Sequence, residues 1–383
     1  MKSLLRPTTV LGLSVLSVAL VQLHWPGAGF WGPILMLGGL IFLHELGHFL
    51  AAKYMGMPVE VFSLGFGPRL AGFRWKETDV RLAALPLGGY VKLAGFNPEE
   101  PGAEDPYGFL QQPFGRRMLF YSGGILANLA TTLLLFGLVG ISQARIIKAE
   151  PRPGSALVVD QVIKGQPAEA AGLKAGDELR HLGPIAFPEG RWEDAVTFIQ
   201  AHPNEPLPVE VIREGKPLAL TVTPADQGGR GRIGLAAGPV AFDVQRRPFQ
   251  ASDLWAGARF SLATTWGLTG TVFRFLKQVL TFQASRAEVA GPIGIIRAGS
   301  QAAKSGWEAF LWLSAAISLQ LAILNALPIP ALDGGHMALL LFERIRRKDL
   351  SIELKEKILT GGFLLLASLM ALVIFLDLMK LRK

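Results

Sequence analysis

The chain of 383 residues contains no cysteine, so disulfides cannot stabilise it and thiolates cannot ligate a metal. Any transition metal must be held by His, Asp or Glu, and the redox character of the compartment leaves no trace in the sequence. Charge is also scarce. Asp, Glu, Lys and Arg make up 18% of the residues, against about 25% in ordinary soluble domains. The balance is apolar: 50% of the residues are hydrophobic and mean hydropathy is +0.36. Those residues are gathered into runs at 8–23, 31–54, 118–141, 308–328 and 359–379, which approach the ~20 residues a helix needs to cross a bilayer. A wholly soluble protein is excluded on these grounds.

The formal net charge of +8 would suit nucleic acid or anionic lipid. Lys and Arg flank the apolar runs rather than forming a separate basic block, so the sequence implies a lipid bilayer and no nucleic acid as its surroundings. Arg69, Arg74, Lys76, Arg81, Lys92, Arg116 and Arg117 follow the second run, and Arg344, Arg346, Arg347 and Lys348 follow the fourth. By the positive-inside rule both segments face the cytoplasm, and residues 150–240 lie outside. Lys380, Arg382 and Lys383 then end outside, in mild conflict with the rule. The first run has the basic start of a signal peptide, yet no A-x-A site follows it, and it reads as an extra N-terminal span.

Within the second run lies His44-Glu-Leu-Gly-His48. Ionisable side chains are expensive at membrane depth and mark functional sites. On a helix His44 and His48 project one turn apart from nearly the same line, so both can bind one tetrahedral zinc, one Zn²⁺ per chain, with Glu45 beside it as general base. A third ligand must come from elsewhere. Glu60 and Glu77 are near in sequence; Asp333 and His336 are distant, in Asn325-Ala-Leu-Pro-Ile-Pro-Ala-Leu-Asp-Gly-Gly-His336. The second and fourth runs both lead from outside to inside and carry their polar clusters toward the same end, which favours the distal pair. Asp333 has a second reading, as the cap of a helix beginning near Met337.

Three further segments read as follows. Residues 59–66, 70–75, 80–85 and 90–96 are short strands, and Leu87-Gly-Gly-Tyr90 is a hairpin turn. An edge of that hairpin, at Gly88, Gly89 and Tyr90, can add an extended substrate as another strand, or simply seal the sheet. Residues 151–239 alternate strands and helices as a soluble α+β module that, with Ala171-Gly-Leu-Lys-Ala-Gly-Asp177, resembles the PDZ domains of bacterial proteases. That resemblance implies either peptide binding by strand addition at Arg232-Ile-Gly-Leu235, through Ile233, Gly234 and Leu235, or a steric gate that excludes bulky substrates without binding a tail. Residues 252–283 form an amphipathic helix with Arg274, Lys277, Gln278 and Thr281 on one face, expected to lie in the membrane interface. Asn128 is expected near the active site, as a substrate contact or an interhelical hydrogen bond.

The motif His44–His48 with Ala51-Ala-Lys-Tyr54 resembles the site-2 protease family of intramembrane zinc metalloproteases, in its bacterial PDZ-containing RseP type. So do Phe62–Pro68, Leu85–Lys92, Gly123–Asn128, Gly291-Pro-Ile-Gly294 and Asn325–Gly335. The resemblance implies a membrane α-helical bundle with a membrane-associated β-hairpin or sheet and an inserted PDZ-like domain. Along the chain this becomes an extra helix (1–30), the first half of the core (31–148) and the PDZ-like domain (149–243). The amphipathic linker (244–307) and the second half of the core (308–383) follow. It implies His44, His48 and Asp333 as zinc ligands, Glu45 as catalytic base and Asn325 as a substrate-backbone contact. Substrates would be single-pass membrane proteins, such as anti-sigma-factor-like proteins or remnant signal peptides, already cut by a first protease. The setting would be a bacterial inner membrane. A catalytically silent PDZ scaffold and a divalent-metal carrier are the alternatives. Glu45 beside both histidines speaks against the first. The confinement of polar groups to one depth speaks against the second.

Overall fold

The computed structural model describes residues 28–96, 104–151, 157–187, 192–237, 242–281, 283 and 291–381. The first apolar run lies outside them. Residues 1–144 with 250–383 form one compact unit and residues 145–249 another.

Helix α1 (Ala28–Tyr54) is apolar on every side, as expected of a helix that meets lipid or protein all round. It is followed by strands β1 (Val59–Trp75) and β2 (Thr78–Leu93), then helix α2 (Phe114–Ala144). The second half of this unit contains α5 (Ser252–Leu280), α6 (Pro292–Ser305), α7 (Trp307–Ala326), α8 (Asp333–Arg346) and α9 (Ile352–Leu381); α3 and α4 belong to the other unit. Among the described residues four segments are long and apolar enough to cross a membrane: Trp31–Tyr54, Phe114–Ala144, Trp307–Ala326 and Ile352–Met379. Each contains or closely matches one of the apolar runs.

Small and hydroxylated residues set the helix order. Gly47 of α1 and Gly123 of α2 meet so closely that a Cβ on Gly47 would lie 2.1 Å from the Gly123 carbonyl oxygen. Between α2 and α7, Ser318 Oγ donates to the Asn128 carbonyl (2.9 Å), Thr132 Oγ1 to the Ala315 carbonyl (3.3 Å), and Ser142 hydrogen-bonds Glu308. Such pairings bring backbones together where lipid gives no hydrophobic drive for helix association. Partner numbers fall along α7 as they rise along α2, so these helices are antiparallel. His48 beside Phe120 and His44 beside Asn128 show the same for α1 and α2. Helices α1 and α7 therefore run in one sense, as the charge pattern implies.

Helix α5 departs from the interfacial expectation. Its N-terminal half packs along α2: Gly257 lies against Gly137 and Ile141, and Ser261 Oγ donates to the Leu133 carbonyl at 2.8 Å. The reason is its apolar face, where Phe260 and Leu268 pack against buried Phe136 and Ala315. Arg274, Lys277 and Gln278 stay exposed on the C-terminal half.

Strands β1 and β2 are long and irregular. Val61–Leu64 is flanked on one side by Asp79–Leu82 and on the other by Gly89–Lys92, while Ala71–Trp75 pairs with Thr78–Leu82. The four short strands read from the sequence are thus segments of two. The chain reverses at Lys76 and Glu77, with Lys76 at φ 54°. Leu87–Tyr90 is not the hairpin turn expected there but part of β2. Its glycines serve close approach instead: Gly88, at φ 141°, presses against the Phe66 ring, where any Cβ would clash at 2.1 Å.

The second unit is an α+β module. A six-stranded sheet has the order β11-β4-β5-β7-β8, with β6 on β5. The strands are β4 (Leu157–Val162), β5 (Glu178–Leu182), β6 (Ile185–Ala186), β7 (Leu207–Arg213), β8 (Lys216–Val222) and β11 (Leu235–Ala237). Alternation in β7 points Leu207, Val209 and Val211 into a core shared with Leu157, Val159, Leu179 and Val222. Helices α3 (Pro167–Ala170) and α4 (Trp192–Ala201) supply Ala168, Ala195 and Ile199 to the same core. Two small pairs complete the unit: β3 (Ile146–Pro151) with β12 (Phe242–Arg246), and β9 (Ala225–Asp226) with β10 (Gly231–Arg232). The module spans 145–249, a few residues wider at each end than its sequence-derived bounds.

Candidate metal centre

One turn of α1 brings the Nε2 atoms of His44 and His48 to 3.3 Å. Asp333 opens α8, where Oδ2 lies 3.3 Å from His44 Nε2 and 3.4 Å from His48 Nε2. Three donors thus form a nearly equilateral triangle. Zinc bound to His nitrogen and carboxylate oxygen at about 2.0–2.1 Å in a tetrahedron requires donor separations of about 3.3–3.4 Å, so the triangle has the size of one zinc coordination face. Asp333 Oδ2 is also buried and receives no hydrogen bond. A buried carboxylate oxygen left without a donor is costly, and a cation resolves that cost. The donor set therefore fits zinc.

Each imidazole is turned by its other nitrogen. His48 Nδ1 donates to the Phe120 carbonyl at 2.8 Å, and the Asn128 amide lies 3.1 Å from His44 Nδ1. A histidine that ligates through Nε2 carries its proton on Nδ1, so the acceptor it needs is the amide oxygen of Asn128, one rotation of that group away. Gly124 completes the support by what it lacks. A Cβ there would lie 2.4 Å from His48 Nε2 and 2.5 Å from His44 Cε1, so α2 approaches the histidines only because this position has no side chain.

The chain reaches Asp333 through a tight reversal after α7. Pro328 and Pro330 forbid a continued helix, Ala331 takes φ 74°, and Gly334 and Gly335 lie against the backbone of Ala326–Pro330 with no room for a Cβ. The reversal returns Asn325 and Asp333 to one cavity of about 420 Å³, lined also by His44, Glu45, His48, Gly89, Tyr90 and His336. Gly89 lies directly on Glu45, where an added Cβ would meet Glu45 Cγ at 2.8 Å.

Residues 33–369 match peptidase family M50. The chain belongs to that family. A Clostridium acetobutylicum protein whose name includes "zinc metalloprotease" is 33% identical over 345 residues, covering 90% of this chain and 95% of its own. Membrane metalloprotease ARASP, chloroplastic, of Arabidopsis thaliana is 32% identical over 363 residues, covering 91% and 78%. Zinc metalloprotease RasP of Geobacillus kaustophilus is 28% identical over 424 residues, covering 91% and 97%.

In this M50 peptidase the site residues read from the sequence separate clearly. Among the described residues His44, His48 and Asp333 are the group whose donors converge. His336 lines the cavity but stacks on Tyr121, with ring centroids 4.8 Å apart and 6° between planes. Glu60 pairs with Lys92 at 3.2 Å and Glu77 pairs with Lys53, so neither is a third ligand. Asn128 corrects the expectation of a substrate contact: it is wholly buried beneath His44. In the α+β module a groove of about 390 Å³ runs between α4 and the Ile233–Leu235 stretch. Ile233, expected to touch peptide, is 4% exposed and belongs to the core, so it forms only the groove's floor. Gly234 takes φ 73° and its carbonyl accepts from Ile163 N, while Leu235 opens the edge strand β11. Sequence reasoning missed the Phe120 carbonyl, because a backbone acceptor carries no residue signature. Gly124 lies within the Gly123–Asn128 stretch, but a glycine's residue type alone does not reveal that it makes room for the two imidazoles.

Proposed function

We propose that this M50 peptidase is a zinc-dependent intramembrane endopeptidase that cuts single-pass membrane substrates whose outer domain a first protease has removed. The observation that carries the reading is the His44–His48–Asp333 triangle, whose open side faces a cavity shared with Glu45. Zinc bound there supplies Lewis acidity, making water nucleophilic near neutral pH. Glu45 takes the proton from the attacking water and returns it to the leaving amine as the C–N bond breaks. Asn325, which lines the same cavity, offers its side-chain amide to the substrate backbone.

A substrate helix hides its carbonyls in internal hydrogen bonds, and lipid cannot replace those bonds when the helix unwinds. The Gly89–Val91 segment pairs with Phe62–Leu64 of β1, and no second strand pairing of these three residues occurs among the described residues. Its free edge, at Gly88, Gly89 and Tyr90 above Glu45, supplies replacement bonds by strand addition. Residues 149–243, with their edge strand and groove, fit a PDZ-like module that gates access by bulk. The positive-inside pattern supports a topology with this module outside and the catalytic centre toward the cytoplasmic side, and the resemblance to bacterial site-2 proteases supports an inner-membrane setting.

The test uses the full chain in lipid nanodiscs with a single-span peptide substrate. Chelation and Glu45→Gln should each abolish cleavage, with zinc retained by Glu45→Gln. Undiminished cleavage after both treatments rejects the reading.

A further inference from the structure

A second cavity of the helical unit lies apart from the metal centre. It has a volume of about 850 Å³ and lies where α2 begins and α8 ends, lined by Gln112, Phe114, Arg117, Glu343, Arg344 and Arg347, among others. Phe114 and Ile352 open two membrane-length helices, so this cavity sits at the level where spans enter the bilayer.

Its walls are cationic. Arg117, Arg344, Arg347 and Lys348 line it, against Glu343 and Asp349. Glu343 is already committed: its Oε1 accepts from Lys355 Nζ at 2.6 Å and from the Leu350 amide at 2.8 Å. Arg117 Nε is buried without a hydrogen-bond partner. Helix α8 ends with Arg347 in the left-handed conformation, φ 54°, which an arginine adopts at a cost and which turns Arg347 and Lys348 onto the cavity wall. An unpaired buried guanidinium nitrogen and a surplus of cations call for an anion of phosphate type.

The outer face of the same helix says where that phosphate comes from. Leu341, Phe342 and Ile345 are 48%, 48% and 72% exposed, and they share the last two turns of α8 with Arg344 and Arg346. A short helix with large exposed apolar side chains beside a basic pocket has the character of an element seated at the headgroup–acyl boundary. We infer that this cavity binds the phosphodiester headgroup of an anionic phospholipid, with the acyl chains lying along Leu341, Phe342 and Ile345. Because α8 begins at Asp333, a lipid that clamps the C-terminal end of this helix to the start of α2 also steadies the helix that presents the third metal donor.

The experiment is native mass spectrometry of the full chain released from nanodiscs of phosphatidylglycerol mixed with phosphatidylcholine, with thermal melting in each lipid alone. The wild type should retain phosphatidylglycerol selectively and melt higher in it. Arg344→Gln, Arg347→Gln and Lys348→Gln combined should lower that selectivity about 100-fold, at roughly fivefold per charge near an anionic surface, and erase the melting difference. All three side chains are exposed, so the variant should melt as the wild type does in phosphatidylcholine. Arg344→Lys with Arg347→Lys, which keeps the charge, should retain the lipid. Equal phosphatidylglycerol retention by the triple variant and the wild type overturns the inference. So does displacement of the lipid by millimolar inorganic phosphate, which would mark the cavity as a soluble-anion site.

Discussion

Gly124→Ala tests whether the close approach of α2 places the metal donors. The new methyl group would sit 2.4 Å from His48 Nε2 and 2.5 Å from His44 Cε1. Carbon and nitrogen in contact need roughly 3.4 Å or more, so about 1 Å of movement must be found. The backbone of α2 could provide it only by drawing away from α1, which would give up the close packing of Gly123 on the Gly47 backbone. Otherwise the imidazoles must yield, and disturbing the groups that orient metal ligands costs about 10–100-fold in affinity. The upper figure, 100-fold, is about 2.7 kcal/mol. The assay is zinc competition against a chelator of known affinity, on detergent-solubilised full chain, with no substrate present. Gly137→Ala is the control on the same helix: nothing lies within 4 Å of its added Cβ, so zinc affinity should not change, and the helix should gain about 0.5–1 kcal/mol from the lost glycine. If Gly124→Ala binds zinc as tightly as the wild type while remaining folded, the argument from helix approach is wrong.

Asn128→Ala should also weaken zinc binding by about 10-fold or more, because His44 loses the group that fixes its Nδ1 proton; unchanged affinity in the same competition assay would remove Asn128 from the site. Gly89→Ala should leave zinc in place while lowering kcat, since its Cβ would push Glu45 at 2.8 Å and the Ser63 carbonyl at 2.8 Å; a variant with full kcat shows that the strand need not lie on Glu45. In the α+β module, Arg213 donates from Nε and Nη2 to Asp177 at 2.7 and 2.8 Å and holds its carboxyl below the ordinary 3.8. A depressed carboxylate stabilises the fold fully above its unfolded pKa and loses that contribution as pH falls through the folded value. Hydrogen exchange of residues 157–222 in the full chain should therefore be insensitive to this pair from pH 7 to about 4 and accelerate below it. Arg213→Met should exchange faster at pH 7 and respond less to acid. Equal acid sensitivity in both chains would refute the pairing.

How much could be read from the sequence depended on whether the cause was local. His44, Glu45 and His48 share one helix, so spacing alone puts two imidazoles on one line. The described spans were legible because about 20 apolar residues in a row admit few other readings. Asp333 needed the further argument that α1 and α7 run in one sense, and the helix pairings show that they do. Misreadings arose where a residue type fits two causes. Glycine pairs mark turns or close approaches, and Leu87–Tyr90 proved to be the second kind. An amphipathic helix can lie on a membrane or against another helix, and α5 found Phe136 and Ala315. Asn128 offered a polar side chain at the right depth, but only the structure shows that it faces a ligand rather than a substrate.

The depth of the metal centre has a consequence for the substrate. His48 lies six residues before the end of α1 at Tyr54 and His44 ten, or about 9 and 15 Å along the axis at 1.5 Å per residue. With the Tyr54 end of α1 at the edge of a hydrocarbon core about 30 Å thick, the donors would lie between its midplane and that edge. Strand β1 starts at Val59, close beyond the same end, and β2 returns from it to place Gly89 on Glu45. Unwinding a substrate helix at mid-membrane would strand amides and carbonyls in lipid at a cost of several kcal/mol each. Toward the interface water can take some of those bonds and the sheet edge can take the others. A single-span substrate should thus be cut in its half nearest the Tyr54 end of α1. Moving helix-breaking residues along its span should shift cleavage efficiency in step with that depth, and uniform cleavage wherever the break is placed would show that depth does not govern the reaction.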